Sequence, residues 1–135
     1  MYKLALTPRF CDTDALGHIN HAVVLNWFEQ AREPVFRLFV PDMNPRHWNL
    51  IIARIEVDYK AQIYFGDDIE LSTYVQKMGT SSMTIVHEVR QKETLCARGR
   101  AVMIHFDYEK KQPLPIPSAI RQLLEQEFEP GACRT

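Results

Sequence analysis

The stretch from residue 46 to residue 112 contains no proline, although four prolines precede it and four follow it. Proline cannot donate a backbone hydrogen bond and is excluded from the interior of sheets, so this stretch can form a continuous sheet. Within it, apolar and polar residues alternate in four runs, over residues 51–59, 69–76, 83–90 and 98–106. This period of two predicts four long strands, each with one buried face. In the first strand, the expected buried face carries Ile51, Ala53, Ile55, Val57 and Tyr59.

Short turn sequences separate the four runs. They are Gly66-Asp67, Gly79-Thr80-Ser81 and Lys92-Glu93-Thr94, at spacings that are typical of β-hairpins. Because hairpins join neighbouring antiparallel strands, the simplest arrangement is an antiparallel meander. Residues 2–10 can add a fifth strand.

The period changes to three and four residues after Asn20, which indicates an amphipathic helix. Its apolar positions are Val23, Val24, Trp27, Phe28, Ala31, Val35, Leu38 and Phe39. Asn20 is a good N-cap, and Pro34 removes the hydrogen bond to the Gln30 carbonyl, so the helix should kink or end there. Arg32 falls on the polar side. A shorter helix is expected from Ser118 to about Phe128.

One long helix and a five-stranded antiparallel sheet predict an α+β fold in which the sheet curls around the helix. The 135 residues are enough for one hydrophobic core, so a single domain over residues 1–135 is expected. Because 16 basic and 17 acidic residues give a net charge of −1, nucleic acid is not an expected partner. No stretch resembles a signal peptide or a membrane span, which predicts a cytoplasmic protein without membrane attachment.

The turn between the first strand and the long helix concentrates the reactive side chains. It holds Cys11, Asp12, Asp14, Gly17, His18 and His21. Unpaired N–H groups at a helix start form a ready anion site, so this turn is the predicted active site. Gly17 suits a position of positive φ. Three cysteines without metal-type spacing argue against disulfides and a structural zinc. We expect Cys11 to be a buried neutral thiol and Asp12 to order the loop.

The opening motif closely resembles that of the 4-hydroxybenzoyl-CoA thioesterase family. It runs from Phe10 through Asp14, Gly17 and His18 to His21, and continues with Leu25, Phe28-Glu29 and Ala31-Arg32. The likeness extends over most of the chain, including the strand around residues 57–59 and the turn at residues 79–82. The resemblance implies the hotdog fold and an acyl-CoA thioesterase. A subgroup of the family that bears a histidine at the position of His21 often has a tyrosine in place of Phe10, and many relatives have a tyrosine in place of Val24.

The resemblance also implies roles for individual residues. Asp14 matches the catalytic carboxylate, as nucleophile or as general base, and the N–H of His21 matches the group that polarises the thioester carbonyl. In one subgroup a histidine side chain at that position also takes part in catalysis. The N–H of Ala22 is a second candidate donor. Expected substrate-binding residues are Gly17, His18, Asn20, Ala22, Thr80 and Ser81.

The family resemblance implies a homodimer or homotetramer with sites between subunits. A CoA thiolate needs little assistance to leave, so we expect neither a metal nor a cofactor, although imidazoles and carboxylates such as His18 and Asp12 are also common zinc ligands. Two rival functions stay open, namely a module that binds or senses acyl-CoA without turnover and a dehydratase of hydroxyacyl thioesters. The acyl group, and the choice between CoA and acyl-carrier-protein thioesters, are also open.

Overall fold

The computed structural model describes residues 1–129, so Cys133 lies outside the described residues. Five long strands and a short sixth form one sheet in this part of the chain. The strands are β1 (Tyr2–Leu6), β2 (Leu50–Tyr59), β3 (Ile69–Met78), β4 (Ser82–Gln91), β5 (Thr94–Asp107) and β6 (Gln112–Pro113). The helices are α1 (His21–Ala31), α2 (Glu33–Phe39) and α3 (Ser118–Glu127). The predicted α+β class and the antiparallel hotdog sheet are confirmed.

The order of the strands in the sheet is β1-β3-β4-β5-β2, and β6 pairs with the end of β5. The predicted meander is therefore right for β3, β4 and β5 but wrong for β2, which pairs with β5 instead of β3. Periodicity within a strand does not encode its neighbour, and the turn at Gly66 joins two strands on opposite sides of the sheet. Strand β2 consequently lies at an edge.

Helix α1 packs on the middle of the sheet through Phe28, which is fully buried. The Phe28 ring stacks on the imidazole of His87 in β4, with the ring centres 4.8 Å apart and the planes 14° from parallel. On β5, a Cβ added to Gly99 would lie 2.3 Å from the Phe28 ring. Only a glycine allows this approach, which brings the helix against the concave side of the sheet.

The helical segment breaks near Pro34, as the sequence predicted, because α1 ends at Ala31 and α2 begins at Glu33. Arg32 lies at this junction, and its predicted exposed position is wrong because only 3% of the residue is exposed. Its guanidinium lies 3.3 Å from Nε2 of His87, and Nδ1 of His87 lies 2.9 Å from the Thr73 hydroxyl. None of the helices within residues 1–129 is both long and apolar enough to cross a membrane.

Strand β2 does not bury the face that its alternation predicts. Ile55 is 38% exposed and Tyr59 49% exposed, and Ile52 on the same strand is 45% exposed. The physical reason is twofold: β2 is an edge strand, and its pairing with β5 shifts register between Ile52 and Arg54. A strand with exposed apolar side chains and a free edge is suited to pairing with another chain.

Candidate active site

The loop that joins β1 to α1 is held by its own backbone. The Asp14 N–H donates to the His18 carbonyl over 2.7 Å, and the Gly17 N–H donates to the Asp14 carbonyl over 3.2 Å. Gly17 has a φ of 81°, a left-handed conformation that glycine adopts without steric cost. These bonds form a tight turn over residues 14–18 with the Asp14 side chain at its start.

One oxygen of the Asp14 carboxylate is fixed and the other is free. Oδ1 accepts hydrogen bonds from the N–H groups of Leu16 (2.8 Å) and His18 (3.1 Å). Within residues 1–129, Oδ2 has no hydrogen-bond donor, and the residue is exposed. The turn therefore orients the carboxylate while it leaves one oxygen available to a substrate or a water molecule.

The second carboxylate of the loop, Asp12, has the loop-ordering geometry expected of it. It is buried, and its oxygens accept from the Arg9 N–H (2.8 Å) and the Arg9 guanidinium (3.0 Å). Burial alone raises the pKa of Asp12, but the hydrogen bonds and charge of Arg9 outweigh it and hold that pKa below its usual value. Asp12 also accepts the Asn20 N–H through its backbone carbonyl, at 2.8 Å.

The first turn of α1 has one N–H free for a ligand. Asn20 caps the helix, because its Oδ1 accepts the Ala22 N–H at 3.0 Å and its carbonyl accepts the Val23 N–H at 3.0 Å. The Ala22 N–H, our second candidate donor, is therefore already occupied. The His21 N–H has no acceptor in the described part of the chain, as is normal for a first helical residue.

Asp14 and His21 line the same cleft, which has a volume of about 500 Å³. Its other lining residues are Ile19, Val24, Tyr59, Lys60, Ala61, Gln62 and Ile63. A larger cavity of about 640 Å³, near Trp48 and the start of β2, includes neither Asp14 nor His21. The smaller cleft is the candidate active site because it is lined by both Asp14, with its free carboxylate oxygen, and His21, with its free helical N–H.

Tyr59 is a residue of the cleft that sequence reasoning assigned only to a buried strand face. Its hydroxyl donates to the His21 carbonyl over 2.7 Å, and its ring meets the His21 ring edge to face, with centres 6.3 Å apart. Burial raises the pKa of the Tyr59 phenol. The pairing of β2 with β5 brings it here, so the sequence signal, a tyrosine ending an alternating run, was too weak to find it.

The other predicted site residues divide into two groups. Gly17 and His18 shape the Asp14 turn, and the His18 ring packs against Tyr64 with centres 5.3 Å apart. Thr80 and Ser81 lie at the opposite end of the sheet, beyond β3, whose 10 residues span about 33 Å. The structure of one chain does not bring them to Asp14.

Two further expectations concern ligands and thiols near the loop. Cys11 is exposed, so the prediction of a buried thiol is wrong; it lies in a 3-10 turn, with Phe10 beside it also pointing outward. Within residues 1–129, no three His, Cys, Asp or Glu side chains converge in a way that could hold a metal ion.

The chain is similar to known proteins in sequence and in structure. Residues 8–124 match the model of the thioesterase-like superfamily. A predicted thioesterase from Bacillus stearothermophilus is 40% identical, with a TM-score of 0.90 over 93% of this chain and 94% of that one. A Thermus thermophilus thioesterase, complexed with coenzyme A and Zn, is 32% identical, with a TM-score of 0.81 over 91% of this chain and 90% of that one.

A curated relative points to the same chemistry. The 1,4-dihydroxy-2-naphthoyl-CoA hydrolase of Nostoc punctiforme is 28% identical over 123 residues, which cover 88% of this chain and 83% of the relative. The expectations of a hotdog fold, of a resemblance to acyl-CoA thioesterases and of an enzyme that hydrolyses thioesters are thus confirmed. The match over residues 8–124 shows that the chain belongs to the thioesterase-like superfamily.

Proposed function

We propose that this protein hydrolyses an acyl-CoA thioester to the free acid and CoA, with Asp14 as the reacting carboxylate and the His21 N–H as the oxyanion donor. The observation that carries this proposal is the shared cleft, which is lined both by Asp14, with one free carboxylate oxygen, and by His21, with an unpaired helical N–H. A thioester carbonyl oxygen gains negative charge when its carbon is attacked. A preorganised N–H at a helix start stabilises that charge.

Asp14 can perform the attack by either of two routes. As a nucleophile, its carboxylate adds to the carbonyl carbon and the tetrahedral intermediate expels the CoA thiolate, which leaves a mixed anhydride for water to hydrolyse. As a general base, it takes a proton from a water molecule while that water attacks the carbonyl. The exposed position of Asp14 allows a water molecule to approach under both routes. The His21 imidazole, also exposed in this cleft, is available to contact the substrate.

Relatives support acyl-CoA as the substrate class. The Thermus thermophilus thioesterase and a Staphylococcus aureus protein of similar fold were both solved with CoA. The Nostoc punctiforme relative acts on 1,4-dihydroxy-2-naphthoyl-CoA. No cofactor enters the proposed reaction, because Asp14, a water molecule and the departure of a stable thiolate are sufficient for it by either route. We propose that the protein works in the cytoplasm.

We further propose that the working enzyme is a homodimer or homotetramer. The exposed apolar side chains of β2, including Ile52 and Ile55, and its unpaired edge support pairing with a second copy. In one chain, Thr80 and Ser81 are separated from Asp14 by the length of the sheet. A second copy could supply its own hairpin to the site, as the family resemblance implies for these residues.

The test is the release of free thiol from a panel of aliphatic and aromatic acyl-CoAs, by the native protein and by Asp14→Asn. We expect the substitution to lower kcat by about a hundredfold or more while substrate binding persists. Asp107→Asn is the matched control, because Oδ1 of Asp107 also accepts two backbone N–H groups, from Glu109 (2.9 Å) and Lys110 (3.1 Å). Asp107 does not line the cleft.

The outcomes separate the rival functions. Binding of acyl-CoA without hydrolysis would support a sensing or carrier module, and release of an unsaturated acyl-CoA from a hydroxyacyl-CoA would support a dehydratase. Native rates in Asp14→Asn would overturn the proposed site. A parallel series with acyl-carrier-protein thioesters decides between the two carriers of the acyl group.

A further inference from the structure

Tyr59 connects the edge strand β2 to the one residue of α1 whose N–H is free. We propose that Tyr59 is a positioning residue: its hydroxyl bonds the His21 carbonyl, in the peptide that follows the His21 N–H, and so holds the first turn of α1 with that N–H at the cleft. This inference rests on the proposed function, because it assigns that N–H to the oxyanion. It goes further by giving the end of β2 a part in catalysis.

The geometry of Tyr59 distinguishes a positioning role from direct chemistry. Its single hydroxyl proton is already donated to the His21 carbonyl, at 2.7 Å, so it is not available to a substrate oxygen in this arrangement. Burial raises the pKa of the phenol, which keeps the donor protonated at neutral pH. The bond joins residues that are 38 positions apart and belong to different elements.

Other contacts hold the chain before His21, and the peptide that carries the His21 N–H is itself bonded through the Asn20 carbonyl to the Val23 N–H, over 3.0 Å. The Ile19 N–H donates to the Ile63 carbonyl and the Asn20 N–H donates to the Asp12 carbonyl, each over 2.8 Å. These bonds fix the entry to the helix. The Tyr59 bond acts one residue later, on His21, and the edge-to-face contact of the two rings adds a second constraint.

A positioning role matters here because oxyanion donors act over short distances. The useful separation between an N–H nitrogen and the oxyanion is about 2.7–3.1 Å, and a displacement of about 1 Å can cost a hundredfold in rate. A rotation of the first turn of α1 would move the His21 N–H relative to Asp14, whose turn is held separately by its own backbone bonds. The Tyr59 bond fixes the first turn of α1, which carries the His21 N–H, relative to the sheet.

The chain provides a matched control at the other end of the same strand. Tyr108 donates its hydroxyl to the Leu50 carbonyl, also over 2.7 Å, and Leu50 is the first residue of β2. Tyr59→Phe and Tyr108→Phe therefore each remove one hydroxyl that bonds a backbone carbonyl and keep the ring. Of these two bonds, only that of Tyr59 reaches the start of α1.

The experiment measures kcat and KM for the best acyl-CoA with the native protein and both variants, after urea unfolding shows that both variants are folded. We expect Tyr59→Phe to lower kcat about tenfold or more with KM close to the native value, and Tyr108→Phe to keep the native kcat. The nuclear magnetic resonance shift of the His21 amide should change in Tyr59→Phe and stay constant in Tyr108→Phe. A purely structural tyrosine would change stability without this kcat and amide signature.

Each alternative result has a definite meaning. A native kcat in Tyr59→Phe, an equal loss of kcat in both variants, or an unchanged His21 amide would overturn the positioning role and leave the thioesterase proposal intact. Failure of the native protein to hydrolyse any acyl-CoA would overturn both proposals, because no oxyanion would then form at His21.

Discussion

The two ends of α1 use polar groups in opposite ways. At its start, Asp14 and His21 are exposed and line a cleft, and a carboxylate oxygen and an N–H of these residues have no partner among residues 1–129. At its end, Arg32 and His87 are buried within the fold and contact each other. The first arrangement leaves hydrogen-bonding capacity for a ligand. In the second, both ring nitrogens of His87 have partners inside the fold, although Nε of Arg32 has none among the described residues.

This difference teaches that α1 is anchored far from the proposed active site. About 11 residues separate His21 from Arg32 in sequence, which corresponds to roughly 16 Å along a helix. Changes near Arg32 should therefore alter the free energy of unfolding, whereas changes near His21 should alter the rate of the folded enzyme. The predictions below test this division, beginning with the largest effect on stability.

The largest loss of stability is expected from His87→Ala. The substitution removes a buried ring that stacks on Phe28 and leaves Arg32 without its partner, so unfolding should become easier by about 3 kcal/mol. Urea unfolding measures this loss. At low temperature, the fraction that stays folded should retain the native kcat; a large fall in kcat there would break the proposed division between the ends.

The pH dependence of stability should report the same end of the helix. Burial, reinforced by the Arg32 charge, holds the pKa of His87 well below its usual value. Below about pH 6.5 the unfolded chain binds a proton at His87 that the folded chain does not, so stability should fall with decreasing pH, by up to about 1.4 kcal/mol per pH unit.

The measurement is the urea midpoint from pH 7.5 to pH 5, with His87→Gln as the comparison. Because glutamine does not titrate, its profile should be flatter than that of the native protein over this range. Parallel profiles would mean that His87 does not carry the pH dependence.

At the start of α1, Gly17→Ala should have a smaller effect on stability. A Cβ at this position would meet nothing within 4 Å, so the cost comes from the left-handed backbone alone, at about 1.5 kcal/mol. Because the turn also orients Asp14, kcat should fall in the folded protein. An effect on stability without one on kcat would weaken the distinction between the two ends.

The smallest effect is expected from Asn20→Ala, which removes the helix cap. Loss of the bond between Oδ1 and the Ala22 N–H should cost about 1 kcal/mol, and Asn20→Asp should retain the cap. Thermal unfolding of the three proteins tests this order. Equal stability of Asn20→Ala and the native protein would show that the neighbouring backbone bonds suffice.

The features that the sequence predicted are local ones. Asn20 as the cap, Pro34 as the helix break and the positive φ at Gly17 each depend on a few neighbouring residues, and each is confirmed. The bonds of Tyr59 and Arg32 depend on which strands become neighbours. That choice is set by packing of the whole sheet, so no local pattern revealed it.

Cys11 and β2 were misjudged for a related reason. Both carry apolar or weakly polar side chains that a single chain leaves exposed. Apolar character alone does not say which surface will cover a residue, and in this protein the helices cover the middle strands. The candidate site was predictable because its residues lie close together in sequence, from Asp14 to His21; Tyr59, from a distant strand, was the part that was missed.

The contact between Phe28 and Gly99 limits how substrate preference can change in this fold. A methyl carbon added to Gly99 would lie only 2.3 Å from the ring, so there is no space for an acyl group between Phe28 and β5 at this point. Substitutions that change the acyl preference are therefore expected away from this contact. New substrates could then be acquired while the contact that holds the helix on the sheet is kept.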